Sequence, residues 1–111
     1  MNSSAAIAAL AALAQEHRLA LFRLLVQAGP EGLAAGAIAE RLGIPNSSLS
    51  FHLAQLSRAG LIRQERRSRS LIYSADYAAM NALMGFLTEN CCCGPDSACA
   101  APAQADERVN A

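Results

Sequence analysis

Three glycine breaks cut the first sixty residues of this chain into short pieces, and after the third the hydrophobic period changes. Gly29-Pro30, Gly43 (closely followed by Pro45) and Gly60 each stop a run whose apolar residues recur every three or four positions. The runs are about Glu16 to Ala28, Leu33 to Leu42 and Ser47 to Ala59, preceded by one that Ser3 or Ser4 can cap and that carries Ile7, Leu10 and Leu13. The second helix presents Leu19, Phe22, Leu25 and Val26, widened by Leu21 and Leu24. The third presents Ala34, Ile38 and Leu42, with Gly43 at its C′ position. Asn46 or Ser47 caps the fourth, whose inner stripe is Leu49, Leu53 and Leu56. Beyond Gly60, Leu61–Arg66 and Ser70–Ser74 read as two short strands around the polar tip Arg67-Ser68-Arg69. Ala75 or Asp76 then starts a fifth helix with Tyr77, Met80, Leu83, Met84 and Leu87.

A chain of 111 residues is one domain's worth. Its hydrophobic fraction of 53% includes 25 alanines, aromatics are 5% and Trp is absent, so the core must be made by close packing of small-residue helices. No apolar run is long enough to span a bilayer. The apolar start, Ala5 to Ala14, has no Lys or Arg before it and continues into a helical pattern. It is therefore read as structure and not as an export signal, and the chain is expected in the cytoplasm.

Zero formal net charge conceals a division along the chain. Residues 1–40 carry a net −1 and residues 76–111 a net −4. Between them, Arg41, Arg58, Arg63, Arg66, Arg67 and Arg69 face only Glu65, a net +5. A basic middle in an acidic small protein suggests a phosphate-facing surface.

That basic stretch contains a helix, a glycine turn, a second helix and a hairpin. In a helix-turn-helix the second helix enters the major groove. With Leu49, Leu53 and Leu56 turned inward, the residues left to face DNA are Ser47, Ser48, Ser50, Phe51, His52, Gln55 and Arg58. Ser and Gln can read base edges, with Ser50 and Gln55 the leading candidates, and Ser47 doubles as a helix cap. His can bond a base or phosphate, and Phe51 can touch a thymine methyl. Arg66, Arg67 and Arg69 at the hairpin tip can reach phosphates or an adjacent minor groove.

All four cysteines, Cys91, Cys92, Cys93 and Cys99, lie within nine residues after the fifth helix. A disulfide framework ties distant loops together, and this cluster ties none. It suits a soft metal or metalloid, or thiol redox sensing. A thiol enzyme is disfavoured, because no His or Lys stands nearby in sequence to lower a thiol pKa and no cofactor motif occurs.

The stretches Gln15–Leu25, Ile38–Gly43 and Ser47–Ile62 resemble the ArsR/SmtB metalloregulator family, above all in Ser50-x-His52-Leu53-x-x-Leu56-x-x-Ala59-Gly60-Leu61. The resemblance covers about residues 5–90. It implies a dimeric winged helix-turn-helix, mainly α with a β-hairpin (α-α-α-α-β-β-α), that represses transcription from a pseudo-palindromic operator and lets go on binding metal. It also implies that the first and last helices pair across the homodimer, here through Ile7, Leu10, Leu13, Met80, Leu83, Met84 and Leu87. Residues 1–90 would be the DNA-binding and dimerisation domain, 91–99 a cysteine-rich metalloid segment and 100–111 a disordered tail.

Family members sense at different places. The Cys-x-Cys pair of the prototype arsenic sensors is missing from Leu33 to Leu42, and the zinc type needs histidines that this chain, with only His17 and His52, lacks. Thr88-Glu89-Asn90-Cys91-Cys92 with a later cysteine is similar to a branch of arsenite-responsive repressors whose thiolates sit at this end. That likeness implies As(III) or Sb(III) as inducer, held by three thiolates. Two of the triplet plus Cys99 is the preferred set, with Cys91/Cys92 and Cys92/Cys93 equally open. Cd²⁺, Pb²⁺ or Zn²⁺, or thiol oxidation, are the alternatives.

Overall fold

The computed structural model describes residues 1–91, so Cys92, Cys93, Cys99 and the expected tail lie outside the described residues. In chain order the elements are α1 (Ser3–Leu13), α2 (Glu16–Ala28), β1 (Leu33–Ala34), α3 (Ala35–Leu42), α4 (Asn46–Arg58), β2 (Ile62–Arg67), β3 (Ser70–Ala75) and α5 (Tyr77–Leu87). This is a winged helix-turn-helix. Among the described residues, no single helix is long and apolar enough to cross a membrane.

The breaks act where the sequence puts them. Gly43 closes α3 in the left-handed conformation, φ 69°, and donates its N–H to the Ala39 carbonyl. Asp76 caps α5 by accepting from the Ala79 N–H at 3.0 Å. Two caps differ from expectation. Asn2, and neither Ser3 nor Ser4, caps α1 by accepting from the Ala5 N–H at 2.8 Å. Pro45 precedes α4, and no side chain caps it. Ser47 is exposed in the first turn.

The strands form one antiparallel sheet in the order β1-β3-β2. The hairpin pairs Ile62 with Ala75 and Arg67 with Ser70, so the reversal is the two residues Ser68 and Arg69, with Ser68 at φ 57°. β1 is a correction to the reading of a helix from Leu33. Leu33 and Ala34 instead pair with Tyr73 and Ile72. Gly32 makes that approach feasible: its φ is +71°, and a Cβ there would fall on the Tyr73 carbonyl oxygen.

Leu21, Leu25, Ile38, Leu49, Leu56 and Leu61 are the largest fully buried side chains, so the core lies where α2, α3 and α4 meet the root of the hairpin. Tyr77 pins α5 to the end of α2, its hydroxyl donating to the Val26 carbonyl at 3.0 Å. α1 packs through its alanines. Ala6, Ala9 and Ala12 are its buried face, while Ile7 is 65% exposed and Leu10 42%. Small residues let the α1 backbone come close to α2 and α4. Arg18 locks the junction by donating from Nε to the Ala12 carbonyl at 2.6 Å, satisfying an orphan acceptor at the end of α1.

Three residues expected at a dimer seam also serve the single chain's core. Leu83 is buried, and Leu13 and Met80 are half-buried against the same cluster. Only Ile7, Leu10, Met84 and Leu87 of that set remain exposed.

His52, which the sequence sets among the DNA-facing residues, is instead 9% exposed, on the inner side of α4 with Leu49, Leu53 and Leu56. Its ring lies 5.5 Å from that of His17 on α2 and meets Phe51 edge-on at 5.6 Å. Its Nδ1 is buried without a hydrogen-bond partner among the described residues. Burial, then the positive Arg18 and His17 nearby, push its pKa below the usual 6.5.

Two measurements follow from these contacts. Gly32→Ala should cost on the order of 1–3 kcal/mol, read as a lower Tm, because it adds both a strained φ and a clash with the sheet. For His52 the unfolded chain takes up the proton first. Stability should therefore be unaffected above about pH 6.5 and fall as pH drops below it, until the folded-state pKa is reached. His52→Gln should remove that part of the pH dependence in thermal melts between pH 7.5 and 5.

Candidate DNA interface

α4 sets the site. Its buried residues Leu49, His52, Leu53 and Leu56 hold one side against the core. At about 100° per residue, the opposite side is centred on Ser47, Phe51, Ala54 and Arg58. All four are exposed, Phe51 at 58%. Among the described residues the one ring contact of Phe51 is its edge-on meeting with His52, and the rest of this apolar ring stands in water at the centre of a polar helix face.

The two flanks of α4 meet different neighbours. On one side Ser50, Ala54 and Ser57 join Ile62 and Gln64 of β2 and Tyr73 of β3 around a cleft of about 480 Å³. On the other, Gln55 and Arg58 join Ala8, Ala11, Ala12 and Arg18 in a groove of about 300 Å³. Gln55 is half-buried there, beside α1, so its amide is at the edge of the reading face and not at its centre. Ser48 is exposed on the same flank by the helical period.

Strand alternation sorts the hairpin's charges. Ile62, Gln64 and Arg66 share the face that carries the cleft, running from buried root to tip. Arg63, Glu65 and Arg67 share the other. All but Ile62 are exposed. Arg67 contacts Glu65 at 3.3 Å, an exposed ion pair that holds part of its charge internally. Arg66 and Arg69 form no ion pair among the described residues and line a depression beside Ala34, Ala35 and Gly36. The tip of the wing therefore offers two guanidinium groups outside any ion pair among the described residues, while Arg58, at the end of the outward face, meets Arg18 on the α1 side.

The structure thus brings Ser47, Ser50, Phe51 and Arg58 to one face with Arg66, Arg67 and Arg69 beyond it. It sets Ser48 and Gln55 on the α1 side and withdraws His52. Ala54, Ser57, Gln64 and Arg18 belong to the same surface and were missed. The period of Leu49, Leu53 and Leu56 already places Ala54 and Ser57 outward, and alternation from Ile62 places Gln64. Arg18 had no such signal, because its place depends on the angle between α1 and α2. Of the thiols, only Cys91 is described. It is exposed just past the end of α5, its N–H donating to the Thr88 carbonyl at 3.0 Å.

Comparison with known proteins agrees with this architecture. A family model described as a helix-turn-helix domain, HTH_20, matches residues 13–65. The transcriptional activator HlyU of Vibrio cholerae is 31% identical over 86 residues, 78% of this chain and 77% of that protein. An ArsR-like transcriptional regulator from Rhodococcus sp. RHA1 superposes with a TM-score of 0.70 at 22% identity, covering 96% of this chain and 88% of the other, which speaks for the fold alone. The homodimeric winged helix-turn-helix DNA-binding domain Mb0332 from Mycobacterium bovis matches with a TM-score of 0.62 at 27% identity, covering 78% of this chain and 81% of that one. These relatives are transcriptional regulators and not enzymes. With a reading helix and a basic wing assembled as described, the chain belongs to the ArsR-like family of winged-helix transcriptional regulators.

Proposed function

We propose that this regulator is a homodimeric repressor that holds a pseudo-palindromic operator and releases it when trivalent arsenic or antimony is captured by thiolates beyond α5. The observation that carries the reading is where the thiols begin. Cys91 follows α5 by one short turn, and Cys92, Cys93 and Cys99 come next in the sequence. α5 is also the helix that leaves Met84 and Leu87 exposed, and it packs beside α1 with its exposed Ile7 and Leu10. Four large apolar side chains on two adjacent helices form the kind of face that a second copy of the chain covers. The homodimeric relative supports that use. A ligand gripped at the end of α5 therefore acts at the seam that sets the spacing of the two reading helices.

The donor set fits the ligand. Trivalent arsenic and antimony make three bonds in a pyramid, and soft thiolates are their natural partners. Two cysteines of the triplet with Cys99 would supply three. Among the described residues of the single chain, no group of three His, Cys, Asp or Glu side chains stands close enough to hold a metal ion. Ligand that weakens DNA binding must, by linkage, bind the DNA complex more weakly itself. A coupling of about 1–3 kcal/mol lowers operator affinity roughly 5–150-fold.

Fluorescence anisotropy with DNA from upstream of its own gene, under reducing conditions, tests the reading. Arsenite and antimonite at near-stoichiometric levels should release the DNA, with Cd²⁺ and Zn²⁺ as comparison ions. Replacing all four cysteines by Ser should leave DNA binding intact and abolish the response. Binding that no ion disturbs would refute the metalloid reading, and release by oxidants alone would replace it with thiol redox sensing. For the wing, Arg66→Ala should weaken binding to all sequences alike and reduce the slope of log K against log[salt] by about 1. Arg67→Ala should do less, because Glu65 already engages it.

A further inference from the structure

We infer that the cleft between α4 and the hairpin is a seat for one DNA-backbone phosphate, held by the uncharged groups of Ser57, Gln64 and Tyr73. The inference rests on the reading that α4 enters the major groove and the wing the neighbouring minor groove. On a duplex, those two grooves are separated by a single sugar–phosphate strand. A protein with a helix in one and a hairpin tip in the other must let that strand cross the space between them. In this molecule that space is the cleft of about 480 Å³.

Its chemistry suits the strand. Leu53 and Ile62 make an apolar floor, both at most 5% exposed. Around it stand the hydroxyls of Ser50, Ser57 and Tyr73 and the amide of Gln64. Gln64 and Tyr73 are directly paired across β2 and β3, so their side chains leave the sheet together on the side of α4. None of these side chains has a hydrogen bond or ion pair within the described residues. Hydroxyl and amide donors of this kind commonly bond phosphate and sugar oxygens and so fix register.

No Arg lines the cleft. The same sheet face reaches a cation only at Arg66, one pleat nearer the tip. Phosphate contact here would be made by neutral donors, which release few condensed counterions. It would therefore contribute to affinity and alignment while leaving the salt dependence to Arg66, Arg69 and the arginines beside α4.

The test uses the full chain and a duplex from upstream of its own gene. Gln64→Ala and Tyr73→Phe, the latter removing one hydroxyl and keeping the ring, should each weaken binding about 3- to 10-fold. The slope of log K against log[salt] should stay that of the wild type, in contrast to Arg66→Ala. Single methylphosphonate substitutions walked along the duplex should find one position per half-site where the wild type loses affinity and the Gln64 variant loses no more. Variants with unchanged thermal melts and unchanged affinity would overturn the inference. So would a loss of affinity that no methylphosphonate position masks, since the residues would then act by posing the wing. Failure of the wild type to bind any duplex would instead remove the DNA reading itself, and Arg66→Ala reports on that separately.

Discussion

Everything the surface of this domain can do depends on how α4 is anchored. Leu49, Leu53 and Leu56 are at most 5% exposed, and with Leu21, Leu25, Ile38 and Leu61 they make the centre of the core. Burying a leucine side chain is worth roughly 1.5–3 kcal/mol, so rotating α4 to present other residues would forfeit several such contributions at once. The anchoring fixes which side chains face outward to within the tolerance of tight packing. A helix held this way can carry Ser, Phe, Ala and Arg outward without those residues contributing to the fold. Those outer positions are then free to be chosen for what they touch.

The anchoring also has a weak point. The inner surface of α4 includes one imidazole among its leucines, and that imidazole sits against a second one from α2. An apolar residue there would pack without an unpartnered nitrogen. The cost of the histidine is a stability that declines on the acid side.

Much of this architecture was legible in the residues. Gly29, Gly43 and Gly60 end helices where their punctuation says they should, and the switch from helical to alternating period at Gly60 locates the hairpin to within a residue. What escaped were features made by contact at a distance. β1 is two residues long and exists because Gly32 lets the chain lie against Tyr73. Its local sequence, Leu-Ala-Ala, continues smoothly into a helix. The packing face of α1 was hidden for the opposite reason: the large Ile7 and Leu10 stay exposed, as a seam between two copies would leave them, while α2 and α4 approach so closely that Ala6, Ala9 and Ala12 are the face that fits. His52 misled because serine and phenylalanine neighbours in a polar stretch disguise its position, which is set by its being three residues after Leu49 and four before Leu56. The thiol cluster was the plainest signal in the sequence, but all of it beyond Cys91 lies outside the described residues.

The alanine face of α1 links these parts. Because α1 lies so close to α4 and also packs along α5, it joins the reading helix to the helix that leads to the cysteines, as α2 does through its contact with α4 and the Tyr77 bond to the Val26 carbonyl. Its far side is the exposed Ile7 and Leu10. On the proposed reading, a second copy covers that side and a ligand acts at the end of α5. Any change in how the two copies meet then bears directly on α1. Close-packed alanines have little room to absorb a shift by changing rotamer, since alanine has no χ angle to turn. A displacement of α1 must be passed to its neighbours or resisted by them. The Arg18 bond to the Ala12 carbonyl, which ties the end of α1 to the start of α2, sits beside the groove that Gln55 and Arg58 line on α4. Spatial adjacency of this kind supplies only a route. The free energy carried along it is what release of DNA by ligand would measure.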